Sequence, residues 1–343
     1  MPRPNVGPVD ISPFAPEDIV ALRAAYDIQR AAMLEGREDA PHWSWQEMSA
    51  AFLHPDSGEE NHHYLGRVEG RAVAYGVVEF PTRDNLDKGW LGVAVLPQAQ
   101  HAGYGRAMLE HLENELRGFG RTVWLTEATL PFEHVTDHRI RRFAEAADYD
   151  LSNVEIRRNL DLPVRTSDLD RWEAEAAGPA AGYRIVTFGA GQEVDDELIP
   201  SLCVLLGQLA VDAPTGEADW EEEVYTPERY REMAASLAAG GRRMYETVAI
   251  APDGTVAAQT TLSVPAEGRH DVAQWGTFVH REHRGKRLGL AVKVANLRAV
   301  QEAHPDMRRV STQNAETNDQ MVAINELMGF EPVEASVEFI KRV

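Results

Sequence analysis

A run of small and β-branched residues at positions 91–96 predicts a buried strand, which ends at Pro97. After a gap, an apolar stripe recurs at the spacing of one helix face, with glutamates largely between its members Ala107, Met108, Leu109, Leu112 and Leu116. The pattern therefore predicts a strand, a short loop and an amphipathic helix.

Two glycines stand in this loop, in the stretch Gln100-His101-Ala102-Gly103-Tyr104-Gly105. Glycine adopts backbone angles that are closed to other residues, and the free N–H groups of the first helical turn point into the loop. Such a loop favours anionic oxygens, phosphate above all. The alternative is an ordinary turn in which glycine only relieves crowding. The loop lacks the spacing of a P-loop and the third glycine of a dinucleotide-binding fingerprint.

A second copy of the arrangement begins at Gln274. The pairs Gly105 and Gly289, Val95 and Val279, and Gly92 and Gly276 each lie 184 residues apart. Residues 143–149 lie opposite residues 324–330 at a slightly shorter offset. We therefore predict a duplicated chain, in which each half runs strand, glycine loop, helix, strand, helix, strand.

Residues 100–105 match the Q/R-x-x-G-x-G/A signature, and the chain thereby resembles the GNAT acetyltransferase superfamily. In the second half, residues 284–289 resemble the same signature, although Arg287 stands where its first glycine is expected. The resemblance implies an α/β fold of two tandem domains, each a central, mostly antiparallel mixed sheet flanked by helices. We place the first domain at residues 1–165, a linker at 166–182, with a helix capped by Ser167, and the second domain at 183–343.

The resemblance also implies that acetyl-CoA is the cofactor and that its pyrophosphate lies over the glycine loop. The implied cofactor-binding residues of the first half are Val95, Gln100, Gly103, Tyr104, Gly105 and Arg106. Those of the second half are Phe278, Val279, Arg284, Gly285, Lys286, Arg287, Leu288, Gly289 and Leu290, together with the asparagines Asn314 and Asn318. The first half has no such asparagines, whereas the three cations of residues 284–287 favour a pyrophosphate in the second.

Direct acetyl transfer to an amine needs a proton acceptor, donors for the developing oxyanion and an acid for the departing thiolate. We expect the oxyanion donors to be backbone N–H groups near Val279 in the second half and near Val95 in the first. Many members of the family carry a tyrosine acid four residues before a closing glycine. Counting back from Gly329 reaches Asn325, and the first half has Ala144 at this position. The acid therefore differs, or the thiolate leaves without one, or this half is no longer an enzyme.

The candidate proton acceptors are His280, His283 and the carboxylates Glu222 and Glu223. A histidine exposed in a loop is the alternative interpretation of His280. The two glutamates belong to an acidic segment that contains Trp220 and suits an ammonium group. A solvated acidic loop would have the same composition.

Composition narrows the class of protein. The 343 residues suit two domains, and 43% hydrophobic residues are typical of a globular chain. No apolar run reaches membrane-spanning length, and residues 1–14 lack the apolar core of a signal peptide, so we expect a soluble, cytoplasmic protein without membrane partners. Cys203 is the single cysteine, which excludes an internal disulfide and favours a buried structural thiol.

The formal charge of −21 opposes binding to nucleic acid, and it suits either a cationic substrate or simple solubility. We therefore predict an acetyl-CoA-dependent N-acetyltransferase that acts on the primary amine of a small, cationic molecule, as a monomer or homodimer, without a metal. The motifs favour chemistry in the second half, with Asn325 in its site and the first half as a cofactor-binding or structural partner. The rival hypothesis is a tandem protein that binds CoA as a sensor or scaffold without turnover.

Overall fold

The computed structural model describes residues 8–37, 40–212, 216–266 and 268–343. The chain forms two compact units. Unit 1 holds the residues up to Glu127 together with Asp148–Asp150 and Phe339–Val343, and unit 2 holds Ala128–Ala147 and Leu151–Glu338. The units do not follow chain order, because strand pairing gathers segments that are distant in sequence. The predicted domain boundaries at 166–182 stay a prediction.

Unit 1 is built from five strands and three helices among its described residues. The strands are β1 (Asp10–Phe14), β2 (Glu59–Val68), β3 (Arg71–Pro81), β4 (Lys88–Val95) and the first part of β5 (Val123–Pro131). The helices are α1 (Ile19–Leu34), α2 (Trp45–Leu53) and α3 (Tyr104–Gly118). Successive strands pair antiparallel from β1 to β4, and β5 joins β4 in parallel.

Unit 2 contains most of the remaining described chain. Its helices are α4 (Arg139–Glu145), α5 (Thr166–Ala177), α6 (Ile199–Gly207), α7 (Leu209–Asp212), α8 (Pro227–Ala239), α9 (Leu288–Ala303) and α10 (Asp319–Leu327). Its strands are β6 (Asp150–Asp161), β7 (Arg184–Phe188), β8 (Arg243–Ile250), β9 (Val256–Val264), β10 (Asp271–Val279), β11 (Arg309–Ala315) and β12 (Glu331–Arg342), whose last residues belong to unit 1.

The strands of unit 2 follow the order β12-β6-β11-β10-β9-β8-β7. Strand β10 pairs parallel with β11 and antiparallel with β9, and β7, β8 and β9 pair antiparallel in sequence. Helices α5 and α9 cover one face through a core that includes Trp172 and Leu297. Helices α6 and α8 cover the other face through Leu202 and Tyr230. This layering confirms the predicted α/β class, with mostly antiparallel mixed sheets flanked by helices.

The repeated order of elements is confirmed as well. The first copy runs β4, α3, β5, α4 and β6, and the second runs β10, α9, β11, α10 and β12. The predicted cap of the helix in the linker is wrong, because α5 begins one residue before Ser167 and its N-cap, Arg165, makes no side-chain capping bond. Cys203 is buried in the core under α6 and α8, as predicted. No helix of the described residues has the length and apolarity to cross a membrane.

The end of β12 supports unit 1 through buried side chains, and Phe339 is only 1% exposed. We expect Phe339→Ala to lower the free energy of unfolding by about 3–5 kcal/mol, because it leaves a large cavity in a close-packed core. Urea denaturation measures the change. The control is Val333→Ala on the same strand, where the side chain is 37% exposed and the expected change is about 0.5 kcal/mol or less. Equal effects of the two substitutions would contradict the packing seen for β12.

Candidate functional site

The two glycine loops have the same backbone conformation, although glycine occupies different positions in them. In the first, His101 and Gly103 are left-handed, with φ of 62° and 91°. In the second, the equivalent Gly285 and Arg287 are left-handed, with φ of 78° and 53°. Arg287 is therefore left-handed like the glycine that it replaces. The first copy has the same unfavourable backbone conformation at His101.

Each loop is fastened to its strand by the first residue of the signature. Gln100 Nε2 donates to the carbonyl oxygen of Val95, and Arg284 Nε donates to that of Val279, both at 3.3 Å. Helices α3 and α9 then begin at equivalent residues, Tyr104 and Leu288. The first N–H groups of each helix have no acceptor within the helix, so both loops present donors to an anion.

Beside each loop, a parallel strand pair opens. Strands β4 and β5 are paired at their start, up to Trp90 and Leu125, although β4 continues to Val95. Strands β10 and β11 are paired up to Ala273 and Ser311, although β10 continues to Val279. The divergence leaves one edge of β4 and of β10 free to bind an extended ligand through backbone groups.

The two copies differ at the point where the strands diverge. Strand β4 keeps an unbroken register with β3, from Glu79 opposite Trp90 to Ala74 opposite Val95. Strand β10 instead shifts its register on β9 between Gln274 and Thr277. Neither Trp275 nor Gly276 therefore has a paired residue on β9 or β11, and both are exposed. This β-bulge interrupts the regular ladder in the second copy, a few residues before the predicted position at Val279.

The cations of the second loop all have protein partners. Arg284 Nη2 lies 2.7 Å from Asp212 Oδ2, and Lys286 Nζ donates to Tyr183 Oη at 2.7 Å. Arg287 forms an ion pair with Glu175. Each of these contacts is partly exposed to solvent. Because an exposed ion pair contributes only about 0–1 kcal/mol to stability, a pyrophosphate can compete for these cations.

The predicted acidic candidates also contact arginines. Glu222 lies 3.6 Å from Arg281, a residue of the turn that precedes the loop. Glu223 lies 3.6 Å from Arg229, which is 6% exposed and stacks on Tyr225. Glu223 thus compensates a buried charge, whereas Glu222 is exposed to solvent. Residues 213–215 of the same segment lie outside the described residues.

His280 lies at the loop end of β10. Its Nδ1 accepts a hydrogen bond from the Glu282 backbone N–H, and its ring contacts that of His283. His283 in turn bonds to Tyr183 at 2.8 Å. With a rise of roughly 3.3 Å per residue, His280 stands about 13 Å along the strand from Gly276. This placement favours a role in shaping the loop over proton transfer at the bulge.

The asparagines of the second half belong to a buried chain of polar groups. Asn325 is fully buried on α10, and its Nδ2 donates to Asn314 Oδ1 at 2.9 Å. Its Oδ1 accepts a bond from Lys293 Nζ at 3.0 Å. Asn314 Oδ1 also accepts from Arg158. Asn318 stands apart, because its side chain caps α10 by accepting from the backbone N–H of Met321.

The remaining predicted residues shape the site through packing. Leu288, Gly289 and Leu290 are buried at the start of α9, and Phe278 packs under α6 and α8. In the first copy, Tyr104 is buried, and Arg106 bonds to Glu110 along α3.

Sequence reasoning missed two features of this site, the bulge and Lys293. Lys293 is 1% exposed on α9, and it lies 184 residues after the buried Leu109 of α3. An alignment of the two copies would have revealed this lysine on an apolar face. Burial lowers its pKa from 10.5 to about 7.

Both the sequence and the fold are similar to those of known acetyltransferases. Residues 22–135 match the model of the acetyltransferase (GNAT) family. A tandem GNAT protein from the clavulanic acid biosynthesis pathway is 25% identical and has a TM-score of 0.75, with 98% of each chain covered. A GCN5-related N-acetyltransferase from Sphaerobacter thermophilus is 16% identical, with a TM-score of 0.63 and coverage of 97% of this chain and 95% of the other. No curated protein matched the sequence.

A titration of stability tests the burial of Lys293. Because its pKa is depressed from 10.5 to about 7, the unfolded chain keeps a proton in this range that the folded chain has released. The free energy of unfolding should therefore gain a contribution as the pH rises from about 7 to 10.5. Lys293→Met should remove that contribution, as measured by urea denaturation across the range. The matched control, Leu109→Met on α3, should keep the pH dependence, and an unchanged slope in Lys293→Met would contradict the assignment.

Proposed function

The chain belongs to the GNAT acetyltransferase superfamily as a tandem protein, and from this premise we propose that it transfers acetyl from acetyl-CoA to a primary amine of a small molecule. We place the chemistry in the second copy of the repeat. The rival hypothesis of a CoA-binding sensor predicts no thiol release with any amine.

The observation that carries this proposal is the bulge of β10 beside the opening between β10 and β11. Trp275 and Gly276 are exposed and have no register partner on β9 or β11. Backbone N–H groups in this arrangement can bind the oxygen of a thioester carbonyl as it becomes negative. The pyrophosphate would lie over residues 284–290, so the acyl arm would run along β10 towards the bulge.

In this arrangement the amine nitrogen attacks the thioester carbon, and the carbon–sulfur bond then breaks. The nitrogen has to lose a proton before its attack and a second proton afterwards. Asn325 replaces the tyrosine acid of the family and is fully buried within the chain of asparagines. We therefore propose that the sulfur leaves with the second proton of the nitrogen, and that Asn325 supports the wall of the site.

The first copy differs in ways that suit a supporting role. It has the complete glycine signature, and this signature lies within residues 22–135, which match the family model. Its strand β4 has no bulge, and Ala144 stands where Asn325 stands in the second copy. We propose that the first copy binds acetyl-CoA or stabilises the protein without turnover.

For the acceptor, the exposed carboxylates of the segment before α8 favour a cation. Three carboxylates between α7 and α8 are exposed, namely Asp219, Glu221 and Glu222. Helix α7 lies beside the bulge, because a Cβ placed at Gly276 would be 3.6 Å from Leu209. The charge of these carboxylates would attract an ammonium group to this side of the sheet. We therefore propose a small, polar and positively charged amine.

Matched substitutions in the two loops test the choice of the second copy. Gly289→Glu places an anion in the first turn of α9, where phosphate should bind, and it should abolish thiol release from acetyl-CoA with a panel of primary amines. Gly105→Glu makes the same change in α3 and should leave at least part of the activity. Circular dichroism checks that both variants fold.

The control for the added charge is Gly178→Glu, since a Cβ there has no atom within 4 Å. This variant should behave as the unaltered protein. If Gly105→Glu is inactive and Gly289→Glu is active, the chemistry belongs to the first copy.

A single substitution tests the preference for cations. Glu222→Gln keeps the size of the side chain and removes its charge, so KM should rise roughly two- to fivefold for polyamines. KM for acetyl-CoA should stay unchanged. The control is Glu197→Gln, a change at another exposed glutamate of unit 2. An equal rise for polyamines and for amines without a second charge would refute an electrostatic role of Glu222.

A further inference from the structure

A row of polar side chains extends from the bulge across the neighbouring strands of the sheet. A Cβ placed at Gly276 would lie 3.7 Å from Gln259 Nε2, on the neighbouring strand β9. Gln259 is 2% exposed, and its Oε1 accepts a hydrogen bond from Thr261 Oγ1 at 3.2 Å. Thr261 is the register partner of Glu246 on β8. Gln259 and Thr261 therefore form a polar row that begins beside the bulge and ends opposite Glu246.

Glu246 points to the face of the sheet that carries α6 and α8. Val248, two residues further along β8, packs in the core under these helices, and alternate residues of a strand share a face. Tyr230 Oη on α8 donates to Glu246 Oε2 at 2.7 Å. Two strand spacings separate β8 from β10, or roughly 10 Å, which a glutamate side chain and a bound amine or one water can span.

The surroundings of Glu246 raise its proton affinity. Burial raises the pKa of Glu246 to about 7, against the opposing effect of the hydrogen bond from Tyr230. Tyr230 is also influenced by the charges of Cys203 on α6 and Glu193 before it. Arg231 on α8 is held by Asp196 at 2.5 Å. Glu246 is the register partner of Thr261, at the end of the polar row, and it is partly exposed.

The first copy offers an internal comparison. Its residue equivalent to Glu246 is His63, which is 6% exposed and stacked on Phe52 at 3.9 Å between ring centroids. Burial lowers the pKa of His63 to about 4. Val77, the register partner of His63, stands where Thr261 stands in the second copy. His63 Nδ1 and Tyr75 Oη, the latter at the position of Gln259, are 3.1 Å apart, so the first copy has an apolar residue at the position of Thr261 and an imidazole among aromatic rings in place of a carboxyl group.

We propose that Glu246 is the proton acceptor for the amine, with Gln259 and Thr261 as the positioning residues between it and the bulge. This inference rests on the proposed function. One proton of the substrate ammonium passes to the Glu246 carboxylate, directly or through one water, and leaves a lone pair on nitrogen. The nitrogen then attacks the thioester carbon, the sulfur departs with the second proton, and Glu246 releases its proton to solvent.

The test is the pH dependence of kcat/KM for thiol release from acetyl-CoA, with glucosamine and spermidine among the panel of amines. In the unaltered protein, kcat/KM should rise with pH through about 7, as Glu246 ionises. Glu246→Gln should lower kcat/KM about 100-fold or more and remove this acidic limb. Tyr230→Phe removes the bond that favours the ionised carboxylate, so it should move the limb to higher pH. A purely structural role would not move the limb.

The matched control is His63→Gln at the equivalent position of the first copy, which should keep the limb. An infrared titration provides a readout that needs no acceptor, because the carboxylic acid band lost near pH 7 should be absent from Glu246→Gln. Thiol release with an unchanged limb in Glu246→Gln would overturn the inference and leave the proposed function standing. Loss of the limb in His63→Gln instead would assign proton transfer to the first copy. No thiol release with any amine would overturn both.

Discussion

The divergence of β10 from β11 is the constraint on which the candidate site depends. A strand in the middle of a sheet has its backbone groups paired on both sides, and a ligand cannot reach them. Here the pairing with β11 ends at Ala273, while β10 continues for six residues to Val279. The free edge has to be satisfied by a ligand or by water. The bulge at Trp275 and Gly276 extends the opening to the other side of the strand.

The glycine loops show how one backbone shape can be reached by different sequences. Both loops need two left-handed residues, and each copy places a glycine at one of them and a larger residue at the other. A left-handed residue that is not glycine costs of order 1 kcal/mol, so one strained position is tolerable in a loop that is fastened to its strand. Gln100 and Arg284 provide that fastening through the strand carbonyls. The signature is therefore less strict at its first glycine than a pattern of letters indicates.

Local features of the fold could be predicted because they depend on residues that are close in sequence. The strand at 91–96, the helix after Gly103 and the duplication follow from periodicity and from a constant offset. The segments that make up each unit could not be predicted, because the end of β12 joins unit 1 through contacts between residues that are distant in sequence. Within the site, the sequence identified Glu222 and Glu223 as candidate carboxylates. Their contacts with Arg281 and Arg229 depend on tertiary structure and could not be predicted. Glu246 was missed because only the pairing of β8, β9 and β10 brings it into line with the bulge.

The two copies together separate what the fold requires from what chemistry requires. The first copy packs Leu109, Ala144 and Val77 at positions where the second has Lys293, Asn325 and Thr261. Both copies form the same strands and helices, so the apolar residues are sufficient for the fold. A buried polar group stabilises less than an apolar group of similar size unless it is fully hydrogen-bonded, and a buried amine costs more. The second copy thus carries an energetic cost that its architecture does not need, and that cost is concentrated on Lys293, Asn325 and Thr261.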